Sequence, residues 1–80
     1  MAKTFFPNAS KTVYVNASKP HPEGTQYKIS IGLEAWEGNN HQVIKVQMVY
    51  NGSISGRRSP SYPYGTKDFE NVTKAIQSLL

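Results

Sequence analysis

Apolar and polar residues alternate along two stretches in the middle of the chain, 27–36 and 43–50. Alternation with a period of two is typical of strands that have one buried face. A turn at Asn39-Asn40 or at Gly38-Asn39 joins the two stretches, and either position gives the same two faces. The residues predicted to face the core are Tyr27, Ile29, Ile31, Leu33, Ala35, Ile44, Val46, Met48 and Tyr50.

Two further strands are predicted from local signals. Asn51-Gly52 predicts a tight hairpin, because type I′ turns need positive φ at both central positions. The hairpin pairs the stretch 43–50 with an edge strand over 53–58. A short apolar run at 12–16 is a candidate for a fourth strand.

The end of the chain has the pattern of a helix over 67–79, with Thr66 as its N-cap. Its apolar stripe consists of Phe69, Val72, Ala75, Ile76, Leu79 and Leu80. The order of elements predicts an α+β fold, in which an antiparallel sheet of three to four strands is followed by one C-terminal helix packed on one face (ββββα). We expect residues 1–80 to form a single domain.

The formal net charge is +4, and the whole excess lies before residue 66. The predicted sheet therefore carries the positive charge, which makes it a candidate surface for polyanions. The chain has no Cys, so it has neither a disulfide nor a thiolate metal site. No stretch approaches the roughly 20 apolar residues of a membrane span, and the opening residues lack the apolar run of a signal peptide. We expect a cytoplasmic protein that does not contact a membrane.

The titratable residues do not form a recognisable catalytic set. His21 and His41 both lie in predicted loops, and no Gly-rich phosphate loop is present. A zinc site from these two His and Glu23 lacks a fourth ligand. We therefore expect a protein that is not an enzyme and has no cofactor or metal.

The outward face of the predicted sheet combines basic and aromatic residues, and more aromatic residues follow on the connecting loop. Cations that follow phosphates and aromatic rings that stack on bases are typical of proteins that bind single-stranded nucleic acid. In the alternative interpretation the face is merely solvated, because Lys45 pairs with Glu34 and Trp36 covers Val43. The candidate binding residues are Lys28, Trp36, Lys45, Arg57, Arg58, Tyr62 and Tyr64.

For two groups of these candidate residues, the sequence allows two interpretations each. Adjacent arginines on a strand point to opposite faces, so a strict register aims Arg57 at the core, whereas a bulge at Gly56 turns it outward. Tyr62-Pro63-Tyr64 is either a recognition loop or a cover over one end of the core.

The segment from Ile44 to Ile76 resembles the positive cofactor four family of single-stranded-DNA-binding proteins and its bacterial and phage relatives. The resemblance rests on a sheet strand, the basic Gly56-Arg57-Arg58, a short extended piece and a helix that carries Phe69. It implies a homodimer whose sheets form a groove for single-stranded DNA, with Lys45, Arg57 and Arg58 at the DNA. The extended piece is Pro-rich and longer than in the family.

The leading functional prediction is a non-catalytic module that binds single-stranded nucleic acid, most simply DNA, as a homodimer. The alternative is a protein-interaction module, such as a regulatory subunit or a phage-type inhibitor. It would bind its partner through an unpaired sheet edge or an exposed strip of Val43, Val49 and Trp36.

Overall fold

The computed structural model describes residues 4–80, which form an open antiparallel sheet of four strands and one C-terminal helix. The elements are β1 (Phe5–Asn16), β2 (Thr25–Trp36), β3 (Asn39–Tyr50), β4 (Ser53–Ser55) and α1 (Asp68–Leu79). The strands lie side by side in chain order, and α1 packs against β1 and β2. The predicted α+β class, with the order ββββα, is confirmed.

The hairpin between β3 and β4 turns at Asn51-Gly52, as the sequence predicts. The φ values are 49° and 83°, so both central residues are in the left-handed region that a type I′ turn requires. β4 ends at Ser55, and the predicted extension of this strand to residue 58 is wrong. The chain bends after Ser55 because the backbone N–H of Arg58 donates to the Ser55 hydroxyl (3.3 Å) instead of to β3.

The turn between β2 and β3 lies at Glu37-Gly38, so both predicted positions of this turn are wrong. Gly38 has a φ of 85°, which glycine adopts without the steric penalty that Asn would have. Ala35 pairs with Asn40 as a result. The pairing moves by an even number of residues, and every side chain of β2 and β3 therefore keeps its predicted face.

The core lies between α1 and the half of the sheet nearest the β1–β2 loop. Four residues are fully buried there: Tyr27, Ile29, Met48 and Val72. Partly buried apolar residues surround them, namely Val13, Val15, Ala17, Val46, Tyr50, Tyr62, Ala75, Ile76 and Leu79. The predicted core face is therefore correct for this half of the sheet.

The other half of the sheet extends beyond the helix. Twelve helical residues span about 18 Å, whereas the twelve residues of β2 or β3 span about 40 Å. Leu33 and Ile44, which were predicted for the core, are consequently exposed. Phe69 and Leu80, at the two ends of the predicted helix stripe, are also exposed.

The start of α1 is held by a buried carboxylate. Asp68 accepts hydrogen bonds from the backbone N–H of Ser18 (2.8 Å), the Ser18 hydroxyl (2.5 Å) and the Tyr27 hydroxyl (2.7 Å). Burial opposes ionisation of Asp68, but these hydrogen bonds outweigh it and lower the pKa of the carboxyl group. The N-cap position is Lys67 and not Thr66, although the Thr66 hydroxyl accepts a bond from the Asp68 N–H (3.3 Å).

β1 is longer than the predicted 12–16 because it contains a bulge at 8–11 that resembles a loop in sequence. Within the bulge, Asn8 Oδ1 accepts hydrogen bonds from the backbone N–H (3.0 Å) and the hydroxyl (2.8 Å) of Ser10. The Thr12 hydroxyl donates to the carbonyl of Asn8 (2.7 Å). These local bonds replace the ladder bonds that the bulge interrupts.

We expect Gly32→Ala to destabilise the protein, because β1 passes very close to this position. A Cβ at residue 32 would lie 2.8 Å from the Cα of Pro7 and closer still to the carbonyl oxygen of Phe6. Since both obstacles are backbone, the free energy of unfolding in urea should fall by about 1–3 kcal/mol. Gly56→Ala is the matched control, because a Cβ there meets open space. Equal losses in the two variants would contradict the close approach.

Candidate nucleic-acid interface

The register defines a sheet face opposite to α1, which we call the outer face. Tyr14, Lys28 and Gln47 pair across its three long strands, and Ser30 pairs with Lys45 in the adjacent row. Lys28, Trp36 and Lys45 share this face, and Glu34 lies among them. α1 packs on the opposite side, so the outer face has no helix over it.

Lys45 lies at the centre of a small network on the outer face. Its ammonium forms an ion pair with Glu34 and sits over the ring of Phe5, 5.2 Å from the centroid. Trp36 Nε1 donates to the other carboxylate oxygen of Glu34 (2.9 Å). The hydrogen bond from Lys45, with the one from Trp36, lowers the pKa of Glu34. The Glu34–Lys45 pair predicted under the solvated interpretation is thus present.

Trp36 is half exposed near the tip of the β2–β3 hairpin. Its ring lies 4.7 Å from that of His41, with the planes tilted by 32°. Trp36 pairs with Asn39 across the strands, and so the prediction that it lies opposite Val43 is wrong. The shift follows from the position of the turn. One indole face is occupied by the imidazole, and Glu34 fixes the orientation of the ring.

Both arginines follow β4 and are exposed. Arg57 lies in the bend at Gly56, so the strict register that would aim it at the core does not apply. Arg58 lies on the helix side, where its guanidinium is 5.8 Å from the centre of the Tyr50 ring. Arg58 therefore does not lie opposite Lys45 on the outer face, as the extended β4 would require.

A cleft of about 590 Å³ brings the basic residues of these two segments together. It lies along the edge of β3 that β4 leaves unpaired, and residues 56–60 form its other wall. Lys45, Arg57 and Arg58 all line this cleft, which we call the edge cleft, and Phe5 lines it as well. Three of the seven predicted residues thus meet in one place.

The remaining predicted residues are separate from the edge cleft. Lys28 is buried on the outer face. The Tyr62 ring stacks on the Tyr27 ring, with 5.1 Å between the centroids, so Tyr62 covers one end of the core. Burial raises the pKa of its hydroxyl. Tyr64 is fully exposed in the turn before α1. The tyrosines of this loop therefore do not extend the outer face.

Sequence reasoning missed two aromatic residues on the outer face. Tyr14 is exposed and pairs with Lys28. The sequence could have predicted this position, because Val13 and Val15 face the core and alternation with a period of two puts Tyr14 on the opposite face. Phe5 is buried against Lys45 because the bulge shifts the register of β1, so that Phe5 pairs with Glu34 on the outer face, and no local pattern indicates this.

His41 lies in β3, so its predicted loop position is wrong, whereas His21 lies in the β1–β2 loop as predicted and is half-buried. Its Nε2 donates to the carbonyl of Ser61 (2.8 Å), and its ring packs edge-on against Tyr27. Within residues 4–80, no three His, Asp or Glu side chains come together as metal ligands. In the same part of the chain, the helix is too short to cross a membrane.

The strip predicted for protein contact is incomplete, because Val49 is buried and Val43 is half-buried. A different apolar surface is exposed on the helix side, beyond the end of α1. It consists of Phe6, Leu33 and Ile44, and we call it the helix-side patch. Phe6 and Leu33 are directly paired across β1 and β2.

Comparisons of the chain with protein-family models, curated proteins and solved structures gave no match. The resemblance to the positive cofactor four family therefore stays a prediction. In the structure, residues 56–67 form no strand between the basic pair and the helix.

We expect the fluorescence of Trp36, the only tryptophan, to report the ionisation of Glu34. Protonation removes the negative charge of Glu34 and so weakens the hydrogen bond from the indole N–H, and emission should change with a midpoint below the ordinary Glu pKa of about 4.3. High salt weakens the Lys45 ion pair and should move the midpoint upward. The measurement is an acid titration of the His41→Gln variant, because this variant has no imidazole next to the Trp36 ring and leaves Glu34 as the ionisable neighbour. The same protein with Glu34→Gln is the control, and a midpoint at or above the ordinary value would contradict the network.

Proposed function

We propose that this protein binds single-stranded nucleic acid without catalysis, through the edge cleft and the adjoining outer face. The observation that carries the proposal is the convergence of Lys45, Arg57 and Arg58 on one cleft, although eleven residues separate the lysine from the first arginine. Such a ligand is found inside the cell, so the proposal includes a cytoplasmic location.

The charges of the edge cleft favour a polyanion. Its three cations have one carboxylate among them, Glu34, which pairs with Lys45. Arg57 and Arg58 have no carboxylate within ion-pair distance among residues 4–80. Guanidinium groups can bind phosphate oxygens in a bidentate manner, and neutralising each phosphate releases counterions. Two arginines that line a cleft and have no carboxylate partner in the described part of the chain are therefore suited to a phosphate backbone.

The aromatic residues supply the second half of single-strand recognition. Trp36 and Tyr14 are both about half exposed, and they lie towards opposite ends of the outer face, with Lys28 and Lys45 between them. Bases stack on such rings with little sequence preference, at about 1–3 kcal/mol each. Duplex DNA does not offer its base faces in this way, so the proposal specifies single strands.

We expect the protein to bind a labelled single strand of roughly 20 nucleotides with a steep dependence on salt, and fluorescence polarisation measures this. Three phosphate contacts give a log–log slope of about −2. Arg57→Ala with Arg58→Ala should weaken binding by about tenfold or more and make the slope shallower.

The matched control for this experiment is Lys67→Ala with Lys74→Ala. These lysines belong to the α1 segment, and their removal changes the net charge by the same amount. If both double variants lose affinity equally, binding follows net charge rather than the edge cleft. If the wild-type protein fails to bind at low salt, the proposed function is wrong.

A second candidate function, protein interaction, is favoured by the helix-side patch. Phe6, Leu33 and Ile44 form an exposed apolar surface beside the unpaired edge of β3. Apolar residues grouped beside a free strand edge are typical of surfaces that another chain covers. We propose a second copy of this chain as the partner, which gives the homodimer that the resemblance implies.

We expect Leu33→Lys to convert a dimer into a monomer without loss of secondary structure, because the ammonium would be buried in the proposed contact. Light scattering during size-exclusion chromatography measures the mass, and circular dichroism checks the fold. Ile54→Lys is the control, since Ile54 is equally exposed but lies on β4 and on the outer face. A wild-type protein that is monomeric at all concentrations would exclude the dimer.

A further inference from the structure

Lys28 has a largely buried side chain, and its ammonium has no partner among the residues that the structure describes. The residue is 8% exposed, and it lies in β2 between β1 and β3. Among residues 4–80 its ammonium has neither a carboxylate within ion-pair distance nor a hydrogen-bond acceptor. The stem of Lys28 is buried whereas its ammonium keeps contact with solvent, so an anion from outside the chain can reach the charge.

A cleft of about 250 Å³ opens beside Lys28 on the outer face. Its lining consists of Pro7, Ala9, Thr12, Tyr14 and Lys28, and we call it the Lys28 cleft. No carboxylate belongs to this lining, so nothing in the cleft repels an anion.

Hydrogen bonds within the chain fix the wall of the Lys28 cleft. The β1 bulge forms this wall, and the hydrogen bonds of Asn8 with Ser10 and Thr12 hold its backbone. The Thr12 hydroxyl also lies 3.3 Å from the hydroxyl of Ser30 on β2, within hydrogen-bond distance, and this contact ties the bulge to the sheet. A cleft with a fixed wall loses less conformational entropy on binding than a mobile loop does.

Tyr14 adds a second recognition element at the same place. It pairs with Lys28 across β1 and β2, both side chains are on the outer face, and Tyr14 is 54% exposed. A cation next to an accessible aromatic ring suits a ligand that has an anionic group attached to a planar ring. The apolar Pro7 and Ala9 complete the wall against which such a ring can lie.

We propose that the Lys28 cleft binds a nucleotide, with its phosphate on the Lys28 ammonium and its base against the Tyr14 ring. The nucleotide is either free or one unit of a strand, and only the second case rests on the proposed function. The Lys28 cleft is distinct from the edge cleft, because the two have no lining residue in common.

The test is an NMR titration of the full chain with adenosine 5′-monophosphate, adenosine and inorganic phosphate in parallel. We expect the monophosphate to shift the amides of β1 and β2 around residues 14 and 28, and to bind at least about tenfold more tightly than adenosine. Lys28→Met keeps the aliphatic stem and should remove this advantage, whereas Lys28→Arg should retain most of it. Tyr14→Leu should weaken binding of the monophosphate and of adenosine but leave inorganic phosphate unchanged.

Two variants outside the Lys28 cleft control for charge and for aromatic content. Lys74→Met removes a cation that pairs with Glu70, and Tyr64→Leu removes a fully exposed tyrosine. Neither should alter binding of the monophosphate. If Lys28→Met fails to fold, Lys28→Gln replaces it, and unchanged shifts in the folded variant overturn the proposal. Equal affinities for adenosine and its monophosphate overturn it as well.

The oligonucleotide of the previous section separates this inference from the proposed function. If both Lys28→Met and the double arginine variant lose binding of the strand, the nucleotide in the Lys28 cleft is one unit of a strand that also contacts the edge cleft. Monophosphate binding with no strand binding supports a site for a free nucleotide and refutes the proposed function alone. Strand binding that depends on the arginines but not on Lys28, with no monophosphate shifts, refutes the Lys28 cleft alone.

Discussion

The buried carboxylate of Asp68 is the interaction on which the arrangement of sheet and helix depends. It joins the first turn of α1 to Ser18 in the β1–β2 loop and to Tyr27 in the core. Because these three points are far apart in sequence, their hydrogen bonds decide where the helix begins and which face of the sheet it covers. The outer face is open as a direct result, and both candidate binding clefts adjoin it. A carboxylate that is lost here would leave buried donors without an acceptor.

Much of the fold follows from periodicity and turn chemistry. The alternation of β2 and β3 predicts the faces, and Asn51-Gly52 predicts the second hairpin at its observed position. The first hairpin shows the limit of this reasoning. Several consecutive residues could occupy the turn, and the observed register, with Glu37 and Gly38 at positive φ, is one of three that expose the same faces. A pattern with a period of two cannot distinguish registers that differ by two residues.

The candidate sites were predictable only in part, because they are formed by contacts between residues that are distant in sequence. Alternation places Lys28, Trp36 and Lys45 on one face, but it cannot show that Glu34 pairs with Lys45 diagonally rather than directly across the strands. The bulge in β1 determines both the burial of Phe5 and the wall beside Lys28, and its Asn8-Ala9-Ser10-Lys11 sequence reads locally as a loop. Tyr62 and Tyr64 differ in role because one ring meets Tyr27 whereas the other meets solvent.

The difference in length between α1 and the β2–β3 hairpin divides the molecule into two parts of unequal local stability. Residues near Tyr27 and Met48 are enclosed between helix and sheet, whereas the strands from Leu33 to Ile44 depend mainly on pairing with each other and with the start of β1. Opening of the hairpin tip exposes little apolar surface that is not already exposed, so it requires less free energy than global unfolding. Amide protons at the tip should therefore exchange with solvent by fraying, while those around the core exchange only when the whole domain unfolds.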